Sequence, residues 1–189
     1  MKYLKKFRLF EKSASSLESK IDLQELDNLL IDFKQMGLEG LDIDIKTGSS
    51  VVIDWNLFND DKTGAPKCLH SSQIGKYTQG PITNNSLTIE FSTPERGEYN
   101  ISEASESYEM LKDYLFDNYN LIPNYIYITH HMNYMYFENF DKIKELRVTD
   151  NWQFAYEKLP VRPENTFKAH KVVFGFYEDP NAVFRGPEF

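Results

Sequence analysis

An α+β fold with a largely antiparallel sheet is what this sequence predicts, on three observations. Two segments repeat apolar residues at helical spacing, several short runs alternate apolar and polar with period two, and the order of these elements is not strictly βαβ. The expectation is a single domain over 1–189 with two or three helices and six or seven strands. A chain of 189 residues is long enough to close a core without disulfides or a structural metal.

The first helix starts at Asp22. This residue can cap the helix and has Glu25 three positions on, the spacing of a capping box. Leu23, Leu26, Leu29, Leu30, Phe33 and Met36 form its apolar stripe, and Gly37 supplies the left-handed stop. Alternation at Leu41–Ile45 and again over Val51–Leu57, with a turn around Gly48, predicts a β-hairpin. A five-residue connection sets Ile45 against Val51, Ile43 against Ile53 and Leu41 against Trp55, so the large apolar groups share one face. Residues 59–86 are poor in apolar side chains and predict a long loop.

A short strand follows at Leu87–Phe91, then a turn at Pro94–Gly97. Ser102 is the expected cap of the second helix, whose inner face carries Ala104, Tyr108, Leu111, Leu115 and Tyr119. Tyr125–Phe137 predicts one long strand, or two joined near His131-Met132-Asn133. Beyond it, a short helix is expected at Phe140–Leu146 and strands at Trp152–Tyr156 and His170–Tyr177.

Charge and composition bound the function. The total is −8, yet the first twelve residues hold Lys2, Lys5, Lys6, Arg8 and Lys12 against Glu11, a local +4 that leaves −12 for the remainder. An acidic chain is a poor ligand for nucleic acid, whose affinity comes from Lys and Arg neutralising phosphates. Segment 1–12 has two readings, a basic arm for a surface or partner, or an edge whose lysines face water. The lone Cys68 permits no intramolecular disulfide, and no run of apolar residues approaches a membrane span. The expectation is a cytoplasmic protein without membrane contact, cofactor or bound metal.

Four constellations could carry chemistry. In the expected hairpin register, Asp42 lies opposite Asp54 with Asp44 on the same face; three converging carboxylates suit a hard cation or a basic partner, and equally a solvated sheet face. His130 and His131 are adjacent in a strand and point to opposite faces, which weakens a zinc reading. Ten of the 28 aromatics fall within Tyr108–Phe140, and Tyr125 and Tyr127 there are set on the strand face opposite Ile126 and Ile128. Glu90–Asn120 carries eight carboxylates against Arg96 and Lys112, and Glu103, Glu106, Glu109, Asp113 and Asp117 of these lie on the second helix. No P-loop, nucleotide-binding glycine pattern, calcium loop or nucleophile elbow is present.

These features favour a non-catalytic domain that binds a basic protein through acidic and tyrosine-rich surface, as an inhibitor or immunity protein does against a nuclease-type toxin or enzyme. The expected contact residues are Glu103, Glu106, Glu109, Asp113, Asp117, Tyr125, Tyr127, Asp42, Asp44 and Asp54. Two alternatives stand beside it: a metal-dependent hydrolase using Asp42, Asp44 and Asp54, and a structural subunit that buries its tyrosines against its own copies.

Overall fold

The computed structural model describes residues 17, 20–38, 40–46, 50–58, 69–72, 74–82, 85–130, 133–143 and 166–178. The segments expected at 1–12 and 152–156, and also Cys68 and His131, lie outside them. Eight strands and four helices follow in chain order: α1 (Leu23–Leu29), α2 (Ile31–Gln35), β1 (Gly40–Lys46), β2 (Ser50–Ile53), α3 (Trp55–Phe58), β3 (Leu69–His70), β4 (Thr78–Ile82), β5 (Ser86–Asn100), α4 (Ile101–Tyr119), β6 (Leu121–His130), β7 (Asn133–Phe137) and β8 (Thr166–Glu178). Six strands form an antiparallel sheet in the order β1-β5-β8-β6-β7-β3, and β2 pairs with β4 in a separate two-stranded ribbon. The fold is α+β, as the sequence predicts. Among the described residues no helix is long and apolar enough to cross a membrane.

The first helix forms where expected but breaks at Leu30, whose ψ of 0° separates α1 from α2. Asp22 caps it, accepting from the backbone of Gln24 and Glu25. The reciprocal half of the capping box is rerouted through two tyrosines. The Asp22 N–H donates to the Tyr119 hydroxyl, Tyr119 to Tyr114, and Tyr114 to the Glu25 carboxylate at 2.8 Å. Burial, the Tyr119 hydrogen bond and the Glu25 charge together hold the Tyr114 phenol well above its ordinary pKa. Gly37 closes α2 at φ +97°, a conformation that a side chain would strain.

Several expectations fail. The turn at Pro94–Gly97 does not end the Leu87–Phe91 strand: β5 continues through it from Ser86 to Asn100, and the break shows only as a register shift against β8 between Ser92 and Gly97. The hairpin between 41–45 and 51–57 does not form: β1 pairs with β5 and β2 with β4. Local alternation is satisfied equally well by a distant partner, and the Leu87–Phe91 run offers β1 a fully buried neighbour. The second strand also ends at Ile53, where Asp54 accepts from Asn56 N–H and turns the chain into α3. The expected long loop at 59–86 contains β3, a 3-10 turn at Ile74–Lys76 and β4. Finally, the cap of α4 lies two residues earlier than expected: Asn100 accepts from Ser102 N–H, and Ile101 is buried.

Strand alternation divides the sheet into two faces. One buries Leu87, Ile89, Phe91, Ile126, Ile128, Phe137, Phe174 and Phe176 under α1, α2 and α4. The other presents rows fixed by register: Asp42, Glu90, Val173, Tyr127 and Tyr136 in one, and Asp44, Thr88, Gly175 and Tyr125 in the next. The ribbon and the turns beside it cover part of this second face: Ile53, Trp55, Ile74 and Tyr77 pack with Leu69, Tyr125 and Tyr136 of the sheet. A second layer thus covers part of the tyrosine face.

Candidate interaction surface

Helix α4 is amphipathic in a way its sequence dictates. Ile101, Ala104, Ser107, Tyr108, Leu111 and Leu115 recur every three or four residues and are buried on the sheet. The opposite side carries Glu103, Glu106, Glu109, Asp113 and Asp117, all exposed, with Lys112 as the helix's only cation. Lys112 pairs with Glu109 one turn away. Two large apolar side chains stand among these carboxylates, Met110 at 49% and Phe116 at 47% exposure. Helical spacing reveals such residues: both fall outside the buried stripe. Taken only as part of an aromatic belt or as filler, they give no sign of being surface anchors.

Each flank of α4 has a depression. Against α2, a groove of about 500 Å³ is lined by Asp32, Gln35, Met36, Glu103, Glu106, Ser107 and Met110. On the other flank, β7 pairs with β6 only as far as Ile126, so the stretch before it has no β7 partner. That gap is filled from the ribbon side. The Ile53 N–H donates to Asn124 Oδ1 at 3.0 Å, Asn124 Nδ2 donates to the Val51 carbonyl at 2.8 Å, and Trp55 Nε1 donates to the Asn124 carbonyl at 2.7 Å. Asn124 is buried and sits where the β6–β8 register shifts, so one side chain at a bulge pins the ribbon to the sheet. Beside it opens a cleft of about 300 Å³, bordered by Trp55, Tyr108, Glu109, Lys112 and residues 138–141.

The expected contact residues divide between two surfaces. The five α4 carboxylates are together. Tyr125 and Tyr127 lie across the sheet from them, because α4 packs on the face of Ile126 and Ile128. The overlap of acidic helix and tyrosine belt along the chain is therefore not an overlap in space. The Tyr125 ring lies over Gly175, where an added Cβ would sit 2.5 Å from it, and its hydroxyl shares a hydrogen bond with Thr88. Burial raises the Tyr125 pKa against that hydrogen bond, with Asp44 and Glu90 adding to the rise. Tyr127 is pushed up to about 12, first by burial, then by Tyr136, Tyr134 and Glu90.

The carboxylate triad of the expected hairpin does not assemble. Asp42 faces Glu90 across the strand pair, Asp44 faces Thr88, and Asp54 follows β2 in the ribbon with its backbone N–H on the Tyr77 carbonyl. Lys171 supplies the cation beside this row, pairing with Glu90 at 2.5 Å. Among the described residues no three His, Cys, Asp or Glu side chains are placed to hold a metal ion, so the hydrolase alternative loses the geometry that motivated it. Comparison with family models, curated proteins and solved structures finds no match to this chain.

Proposed function

We propose that this chain is a non-catalytic, acidic protein-binding domain that occupies the basic surface of a partner, as an inhibitor or immunity protein does toward a nuclease-type toxin or enzyme. One observation carries the reading: on the exposed side of α4, Met110 and Phe116 stand half exposed within a field of five carboxylates and one lysine. Carboxylates of one sign steer a cationic partner and set the association rate; apolar anchors among them supply the burial that slows dissociation. A second copy of the chain is a poor occupant of this surface, since it would bring like charge against like.

The test is capture of a partner from the source cell, starting with the product of the neighbouring gene, by the wild-type chain and by a Glu103→Lys/Glu106→Lys/Asp113→Lys variant. The expected result is weaker binding with a shallower salt dependence. Met110→Ala and Phe116→Ala should each speed dissociation about fivefold or more, the scale of a hot-spot side chain. Unchanged affinity together with unchanged salt dependence in the reversal variant would overturn the proposal.

A further inference from the structure

We infer that the groove between α2 and α4 binds a linear polyamine, a methylene chain that carries two or more ammonium groups. The site is independent of the function proposed above. Asp32 stands on the α2 wall and Glu103 and Glu106 on the α4 wall, three carboxylates with no cation in the lining. The lysines of these two helices are engaged elsewhere, Lys34 with Asp27 and Lys112 with Glu109. The carboxylates themselves are open. Among the described residues no side chain pairs with Asp32 or Glu106, and Glu103 accepts only from Asn100 Nδ2 at 3.1 Å. Ser107 turns this acidic groove into a site. It is the one small polar residue on the buried side of α4, it lines the groove, and it is 5% exposed with no hydrogen-bond partner among the described residues. The Tyr99 and Tyr108 hydroxyls are sealed in the core, whereas the Ser107 hydroxyl opens into the groove. A buried hydroxyl without a partner is destabilising, and a ligand that reaches it removes that penalty.

These properties select among cations. A hard metal ion needs oxygens that converge, and among the described residues no three carboxylates are placed to hold one. A guanidinium gains from a ring to stack on, and no aromatic side chain lines the groove. An ammonium needs neither. It is a compact charge with three donors, enough to meet the Ser107 hydroxyl and a neighbouring carboxylate together. Met36 and Met110 border the same groove and offer methylenes an apolar, adaptable surface between the charges. One lysine side chain would bring a single charge to three carboxylates on two walls; a polyamine brings several along one flexible chain. The groove, at about 500 Å³, has room for such a chain.

The test is a titration of the full chain with spermidine, followed by methyl and amide correlation spectra, with magnesium at matched ionic strength as the control cation. Spermidine should move the Met36 and Met110 methyls and the Ser107 amide to saturation, while the buried Met135 methyl stays still. Magnesium should move them little. Glu106→Gln should weaken spermidine about tenfold, the scale of a hydrogen bond to a charged group. Ser107→Ala should weaken it severalfold while leaving the free protein's denaturation midpoint unchanged or higher, because the hydroxyl has no partner to lose. Asp113→Asn with Asp117→Asn removes two carboxylates from the same helix outside the groove and should leave the affinity unchanged. That pair separates a site from diffuse attraction to an acidic helix. The assignment is overturned by an equal response to magnesium, by a loss in the Asp113/Asp117 variant as large as that in Glu106→Gln, or by full affinity in Ser107→Ala.

Discussion

The two faces of the sheet are built from the same strands by different means. Under the helices, Phe33, Phe91 and Phe174 lie with ring centroids 5.2 to 5.8 Å apart, and Tyr108 packs onto Phe174 at 4.9 Å. Stability there is non-directional and shared among many contacts. Across the sheet, the ribbon is held by a small apolar cluster and by three hydrogen bonds that all meet Asn124. The comparison teaches where one substitution matters. On the helical face damage should spread through the whole domain; on the ribbon face it should concentrate at one residue.

The largest effect expected is on the helical face. Phe174→Ala empties the centre of the aromatic cluster and should cost about 3–5 kcal/mol, with one cooperative transition shifted as a whole in urea. Asn124→Ala leaves the Ile53 N–H and Val51 carbonyl without their partner and should cost about 2–3 kcal/mol. Hydrogen exchange gives that variant its signature: protection lost at 51–53 and 78–82 while α4 keeps its own. Equal loss on both faces would erase the contrast. Gly175→Ala drives a methyl into the Tyr125 ring and should cost about 1–3 kcal/mol, a penalty that shrinks in a Tyr125→Leu background.

The smallest effect is a pH dependence on the tyrosine face. Tyr127 has its pKa raised from 10.0 to about 12, so above pH 10 the unfolded chain loses this proton before the folded chain does. Its contribution to stability is complete below pH 10 and is lost progressively as pH rises toward 12. Phenolate absorbance should show one tyrosine titrating near that upper value, and Tyr127→Phe should remove it. A midpoint near 10 would mean that this part of the face is open to water.

Much of this architecture was legible in local pattern. The stripe from Leu23 to Met36, the buried side of α4 and the division of Ile126 and Ile128 from Tyr125 and Tyr127 follow from period alone. Pairing did not, because Leu41–Ile45 alternates with the same period whichever strand lies beside it, and the choice of β5 over β2 is made by burial far along the chain. The ribbon was hidden for another reason. Its strand β4 and the neighbouring β3 sit in a stretch with few apolar residues, where Leu69, Ile74 and Tyr77 pack without a regular period and pairing and the Asn124 clamp on β2 leave no hydrophobic trace. At the surface, the α4 carboxylates could be read from charge, whereas the cleft joins Trp55, Tyr108 and Glu138 from three distant segments.

Strand β8 is the last described strand in the chain and lies in the middle of the sheet, between β5 and β6. During synthesis, β5 and β6 therefore emerge with their shared partner still unmade, and the sheet cannot be completed before residue 178 leaves the ribosome. Until then Ile89 and Phe91 can sit only on a β1–β5 pair and Ile126 on a β6–β7 pair, with no strand to join the two. Closure thus waits for β8, through pairings between distant segments of the kind that form slowly. A nascent chain halted before Thr166 should be held by chaperones or cut by proteases, whereas one released with β8 complete should not.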